Sequence, residues 1–322
     1  MWLAAREHPE LKAAAQKWAY ALRQRVRSKT HYRGMLFYQG TVLGALLFDD
    51  KPSRDLAIDV AHALADDFNE AAGVIGLGEE GEETSNLGPG ETTVDAIGMI
   101  AAVLTYAARE TGNARLRDLA RRHALRHIEW CVRADGSVCQ SASFDVATGA
   151  LRRRYTHKGY SEHSTWGRAQ AWSMLGYALS AIWLPEERLF LDTAQRIADW
   201  WIANVPEDGV SYWDFGDPRI PDTHRDTSAP AMVSAALLKI AALTDEARRA
   251  RYRAAAEQTV NTLIRDWLTP LAPAETRPEG MLVGACYHPT IGHAVNCEAV
   301  WPDYYLFEAL EVLTGRLEPS RL

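Results

Sequence analysis

What most constrains this chain is the recurrence, along its whole length, of apolar residues at i, i+3, i+4 and i+7. Leu11, Ala14, Ala15, Trp18 and Leu22 show the spacing of one helix face. The same period predicts helices over 3–26, 35–48, 53–69, 93–111, 114–133, 163–182, 187–204, 227–243, 246–268 and 300–315. Two kinds of connection alternate between them. Some are short, such as Thr111-Gly112-Asn113, and others are long and rich in Gly, aromatic and charged residues, at 70–92, 134–162, 205–226 and 269–299. Segments of that length in a compact protein are usually functional or disordered. Neither βαβ alternation nor a phosphate loop of the GxGxxG or GxxxxGK type occurs, which argues against a doubly wound nucleotide binder. The expectation is an all-α fold of helical hairpins in a single domain, 1–322, with the long loops converging on one rim. A closed ring is favoured over an open solenoid because no tight sequence repeat is visible.

Apolar residues at 47% and charged residues at 24% supply enough material for a large core. A formal charge of −7, from 42 acidic and 35 basic residues, leaves no global positive field for nucleic acid or an anionic membrane. An acidic ligand therefore needs a local basic pocket. The start of the chain lacks a basic segment followed by an apolar one, and no apolar run approaches the ~20 residues of a membrane span. A soluble, cytoplasmic protein is expected. Cys131, Cys139, Cys286 and Cys297 show no CxxC or zinc-type spacing and read as reduced thiols, a Cys286–Cys297 disulfide being the lesser alternative. No metal or cofactor is expected.

The densest chemical stretch runs from Tyr155 to Trp172, from a loop into a helix. Trp166 and Trp172 offer flat apolar faces for sugar rings, while His157, Lys158 and Arg168 can neutralise a carboxylate, Arg168 with a bidentate fork. Ser164 is placed to cap the helix. Residues two apart do not share a helix face, so Trp166 and Arg168 are expected to border a pocket from adjacent sides. Singly, each tryptophan fits core filling and the arginine a surface ion pair. Together, at a long-loop rim, they indicate a site. A second element, Gly90 to Ile100, opens a strongly apolar helix with Asp95 in its first turn. There Asp95 either complements the helix dipole or, beside apolar side chains, serves as a general acid. Asp226 reads as a cap of the following helix and Asp214 as a tie within its own loop.

Taken in order, these segments resemble glycoside hydrolase family 88, the unsaturated glucuronyl hydrolases, and more distantly the unsaturated rhamnogalacturonyl hydrolases of family 105. The resemblance rests on His157 to Trp172, similar to the family's HQGYxDxSxWxRGQAW, on Tyr212-Trp213-Asp214-Phe215 with Arg225-Asp226-Thr227-Ser228-Ala229, and on Gly284 to Tyr305. It implies an (α/α)6 toroid that removes a 4,5-unsaturated uronic acid from the non-reducing end of oligosaccharides left by polysaccharide lyases. Asp95 matches the family aspartate that protonates C4 of the vinyl ether; water then adds at C5 and the hemiketal opens. The implied substrate-binding set is His31, Arg33, Tyr38, Gln140, His157, Lys158, Trp166, Arg168, Trp172 and His288, and the implied partner is an acidic oligosaccharide.

Departures are as informative as matches. Lys158 stands where the family has Gln, and Gln140 where it has a sugar-binding His. Arg33, in His31-Tyr32-Arg33-Gly34, takes the place of a second family aspartate, and if close to Asp95 it would lower that carboxyl's pKa. Fewer helices are expected here than the twelve of a complete ring, which reads as a shortened first hairpin or as a gap covered by a partner. Two alternatives stay open at this stage. One is a carbohydrate-binding homologue without turnover; the other is an inverting glycosidase using Glu162 or Glu91 as its second carboxylate.

Overall fold

Helices form where the apolar period is longest, and the helices without a polar face become the centres around which the others pack. The computed structural model describes residues 1–30, 32–78, 88–269 and 280–322. These gather into two compact units. One comprises 1–131, 141–154 and 179–188, the other 132–140, 155–178 and 189–322.

In the first unit, α1 (Lys12–Ala21) is preceded by 3-10 turns at Ala4–Arg6 and Pro9–Leu11 and followed by one at Leu22–Arg25. The single helix expected over 3–26 is therefore broken. Pro9 explains the break: it offers no N–H, and it holds His8 outside helical space at φ −120, ψ 78. Next, α2 (Arg33–Phe37) runs through a π-helical turn, Tyr38–Val42, into α3 (Leu43–Phe48). α4 (Lys51–Asp66) starts at a strong cap, the Asp50 carboxylate accepting from the Ser53 N–H at 3.1 Å, with Pro52 in its first turn. The short strands β1 (Phe68–Asn69) and β2 (Val74–Ile75) pair antiparallel. β3 (Glu91–Thr93) and a 3-10 turn, Val94–Ala96, lead into α5 (Ile97–Thr111), so the helix expected from 93 begins later than its apolar pattern suggests. Ile97 to Ala108 are all buried, as an all-round apolar helix must be. Gly112, at φ +70, ends α5 in the left-handed conformation that glycine adopts most cheaply. α6 (Ala114–Cys131) then returns, and both it and α4 pack against α5. β4 (Ser141–Phe144) lies between β3 and β5 (Leu151–Tyr155), with Thr92 opposite Ala142.

α7 (Gly167–Trp183) starts in the second unit, and its residues from Leu179 onward are counted with the first. It opens four residues after the predicted 163. α8 (Arg188–Asn204) follows, then the pair β6 (Ser211–Tyr212) and β7 (Arg225–Asp226). α9 (Ser228–Leu243) is buried from Ser228 to Ala241, and α10 (Glu246–Asp266) and α11 (Val300–Leu313) pack against it. Between α10 and α11, β8 (Ala285–His288) and β9 (His293–Cys297) form a hairpin with a bulge at Ala285/Cys286. The chain is thus predominantly helical, and its strands occupy segments expected to be plain loops, except β1, which replaces the end of the helix expected over 53–69, and Thr93 of β3, at the start of the one expected over 93–111. Each strand spans two to five residues, too few to display the alternation that marks a strand in sequence. None of the four cysteines forms a disulfide, so the expected thiols are present. No described helix is long and apolar enough to cross a membrane.

Candidate functional site

In the first unit, the run Thr92 to Ala108 is buried at every position except Asp95, which is half-buried. Asp95 sits in the 3-10 turn between β3 and α5, so the local fold places one carboxyl at the start of an otherwise apolar helix. The residues on either side of it are anchored by α6. The Thr92 hydroxyl meets His127 Nε2 at 2.8 Å, and His123 Nε2 meets the Ala96 carbonyl at 3.0 Å. Sequence reading missed both histidines. Their only signal was a spacing of four on a helix, and nothing in the sequence says what that face meets.

Arg33 opens α2 and is buried. Its guanidinium donates to Asp67 at 2.5 Å and to the Val26 carbonyl at 3.5 Å, and Lys29 also donates to Asp67. Burial alone would raise the pKa of Asp67, but these two donors outweigh it and hold the carboxylate below its ordinary range. The charge at position 33 is thus answered by a carboxylate that sequence reading had not singled out. Tyr38 begins the π-helical turn and is buried. His31 lies outside the described residues.

In the second unit, the buried Gln140 has one oxygen that accepts from the Thr156 hydroxyl at 2.6 Å and from the His157 and Lys158 N–H groups, each at 3.1 Å. Its amide nitrogen lies 3.1 Å from His157 Nε2. Gln140 therefore shapes the turn that presents His157 and Lys158. A second clamp is Asp214. It accepts from the Tyr160 and Gly216 N–H groups, each at 2.8 Å, and from the Ser164 hydroxyl at 2.9 Å. Burial nevertheless pushes its carboxyl up from the usual range. Asp214 thus ties down the 160–164 segment as well as its own loop. Ser164 does not cap α7, since that helix begins at Gly167; it bonds to Ser161 and Asp214 instead.

Arg168 is the centre of this cluster and is almost wholly buried. Its fork donates to Asp226 at 3.1 Å and to the carbonyls of Cys286 and Tyr287. Asp226 in turn accepts from the N–H groups of Ser228 and Cys286 and from the Ser228 hydroxyl. Asp226 is not the cap residue of α9, since Thr227 holds that position without a side-chain cap bond; Asp226 instead reaches the first helical residue, Ser228, and is one half of a buried ion pair. The guanidinium carbon of Arg168 lies 4.4 Å from the Trp166 ring centre, with Tyr287 and Trp301 at 5.4 and 5.7 Å. The expected side-by-side arrangement of Trp166 and Arg168 is replaced by a stack. Trp166 precedes the first residue of α7 and pairs with Asp214 as an isolated bridge, so the rule for residues two apart on a helix does not apply.

Lys158 is buried with its ammonium 3.9 Å from the Tyr287 ring centre. Trp172, half-buried, meets Tyr305 edge-on at 6.0 Å. His288 is buried at the end of β8, its Nδ1 2.9 Å from the Thr290 hydroxyl. The structure therefore gathers Gln140, His157 and Lys158 in one turn and stacks Trp166 with Arg168, while Tyr287 and Trp301, part of the 284–305 motif but not of the expected binding set, join them. Glu162, one of the two alternative second carboxylates, is exposed; Glu91, the other, accepts from Ser143 at 2.7 Å. Aromatic faces beside buried cations suit a flat, anionic sugar ring.

No protein-family model matches the chain. Its relatives do. An unsaturated glucuronyl hydrolase from Bacillus sp. (strain GL1) is 35% identical over 283 residues, 87% of this chain and 73% of that protein. An unsaturated chondroitin disaccharide hydrolase from Streptococcus pyogenes serotype M1 is 29% identical over 289 residues, covering 87% of this chain and 69% of the relative. Among solved structures, an Asp→Asn variant of an unsaturated glucuronyl hydrolase with dGlcA-Glc-Rha-Glc superposes with a TM-score of 0.87 at 31% identity, over 97% of this chain and 83% of the other. With the helical order, the aromatic and cationic cluster and this degree of identity in agreement, the chain belongs to the unsaturated glucuronyl hydrolase family of glycoside hydrolases.

Proposed function

We propose that the protein removes the 4,5-unsaturated uronic acid from the non-reducing end of lyase-generated oligosaccharides, with Asp95 as the proton donor. The observation that carries this reading is the exposure of Asp95, the one residue of a seventeen-residue buried run that keeps partial access to solvent. The carboxyl gives its proton to C4 of the vinyl ether, and the cation that develops at C5 takes the oxygen of a water molecule. The water's proton returns to the carboxylate, and the hemiketal opens to release the remaining sugar. Only one protein carboxyl is required, unlike direct displacement at a glycosidic carbon, which normally uses two. Lys158, backed by Tyr287, supplies positive charge for the substrate carboxylate, and Trp172 supplies a ring face. Arg168 acts at one remove: its fork holds β8 against α7 and so positions Tyr287. His31, Arg33, Tyr38, His157 and His288 complete the proposed binding set. Four retained thiols suit a reducing compartment, and we place the activity in the cytoplasm.

The test is loss of the ultraviolet absorbance of the C=C bond when the protein is incubated with unsaturated disaccharides from glycosaminoglycan, pectic and exopolysaccharide lyases. Turnover of at least one class is expected. Asp95→Asn should reduce kcat by about 10³-fold, within the range for losing a general acid. A protein inactive on all three classes, or an Asp95→Asn variant with normal kcat, would overturn the assignment.

A further inference from the structure

Two histidines of α6 make no contribution to the chemistry described above, yet they hold the residues on both sides of Asp95. His123 and His127 are one helical turn apart, both fully buried, with ring centres 4.4 Å apart. Their hydrogen bonds dictate where each proton sits. The Ile75 N–H donates to His123 Nδ1 at 3.1 Å, so that nitrogen is bare and the proton lies on Nε2, which donates to the Ala96 carbonyl. His127 Nδ1 faces the His123 carbonyl at 2.7 Å and must carry the proton. Its Nε2 is then the acceptor for the Thr92 hydroxyl at 2.8 Å. The rings are neutral and of opposite tautomers. Burial keeps them so, pushing His123 down to about 4 and His127 well below its usual value. A histidine pair at this spacing often forms half of a metal site, but among the described residues no group of three metal-ligating side chains gathers.

Thr92 and Ala96 bracket Asp95 within five residues, and both are fastened to one rigid helix face. We propose that His123 and His127 are positioning residues that set the location of the Asp95 carboxyl relative to the reacting carbon. The inference rests on the reading of Asp95 as the proton donor. The physical basis is the steep dependence of proton transfer on placement: an error of about 1 Å in a reacting group can cost on the order of 10²-fold in rate.

The experiment measures kcat and KM of Thr92→Val, His127→Phe, His127→Gln and Asp95→Asn on the unsaturated disaccharide that the wild type turns over best. Thr92→Val removes only the hydroxyl and keeps the β-branched shape, so it reports on the hydrogen bond even where His127→Phe fails to fold. Thr92→Val should lower kcat about tenfold or more with KM changed less than about twofold, and His127→Gln, able to accept from Thr92, should recover part of what His127→Phe loses. In labelled-histidine NMR at neutral pH, the two rings should appear neutral and of opposite tautomers. A normal kcat in folded Thr92→Val, or two rings of the same tautomer, would overturn the positioning role while leaving Asp95 as the acid if Asp95→Asn is inactive. Full activity in Asp95→Asn would overturn both.

Discussion

At the scale of single residues, the strongest constraint is the Arg168–Asp226 pair. Its side chains are 2% and 0% exposed, so each charge relies on the other and on backbone groups. Replacing Asp226 by Asn leaves a buried guanidinium without its counter-charge, a change that typically costs about 3–5 kcal/mol. Thermal denaturation should therefore show a marked fall in Tm for Asp226→Asn. A fall no larger than that of a surface substitution would refute the importance of the pair. Arg168→Lys should fare little better, because one ammonium cannot reproduce a planar fork that serves a carboxylate and two carbonyls at once. What sequence could say at this scale followed proximity along the chain. Asp95 stood out as an acid beside its own apolar helix. Asp67 and the histidines did not, because they act on residues 27 to 48 positions away. Arg168 was visible, but its carbonyl partners lie 118 and 119 residues further on, so its task was not.

At the scale of elements, helices were legible because their period repeats over ten or more residues, whereas the two- to five-residue strands gave no comparable pattern. The boundaries that went astray are those where tertiary bonds win over propensity. Thr92 and Thr93 are drawn into β3 by pairing with Ala142 and Ser141, which delays α5. Turn glycines make a testable contrast. Gly112 has φ +70 with open space around it, and Gly149 has φ +73 with the Ala71 carbonyl 2.0 Å from where a Cβ would stand. Gly112→Ala should cost about 1 kcal/mol, the strain of the backbone conformation alone. Gly149→Ala adds a collision in the β4–β5 turn and should cost clearly more, about 2–4 kcal/mol. Urea denaturation of both variants decides the matter. Equal losses would show that the turn at Gly149 shifts freely.

For the whole molecule, acid should be the principal enemy of stability, in two successive ranges. His123 titrates at about 4 in the folded protein against 6.5 when unfolded, so below pH 6.5 the unfolded chain binds a proton that the folded one refuses. Stability is thus complete above about pH 6.5 and falls toward pH 4, by about 3 kcal/mol for this residue. His127 adds to the loss in the same direction. Asp50, Asp67 and Asp135 lie below the ordinary carboxylate value when folded, and their contribution, present at higher pH, fades only as the pH drops below about 4. Urea midpoints should therefore decline between pH 7 and pH 5, and the slope should flatten in His123→Phe. A flat profile across that window would contradict the buried, neutral state of the pair. The family resemblance and the mainly helical architecture were legible from the order of the motifs, since order survives where individual pocket residues change.

Gln140 gives the turn at His157 and Lys158 a property that a histidine in its place would lack. An amide oxygen receiving three donors neither gains nor loses a proton anywhere in the physiological range. The three bonds to that oxygen are consequently insulated from acidity. The titratable group of the turn is the His157 imidazole, whose Nε2 lies 3.1 Å from the Gln140 amide nitrogen, and Gln140→His would add a second by making the same acceptor a titrating base.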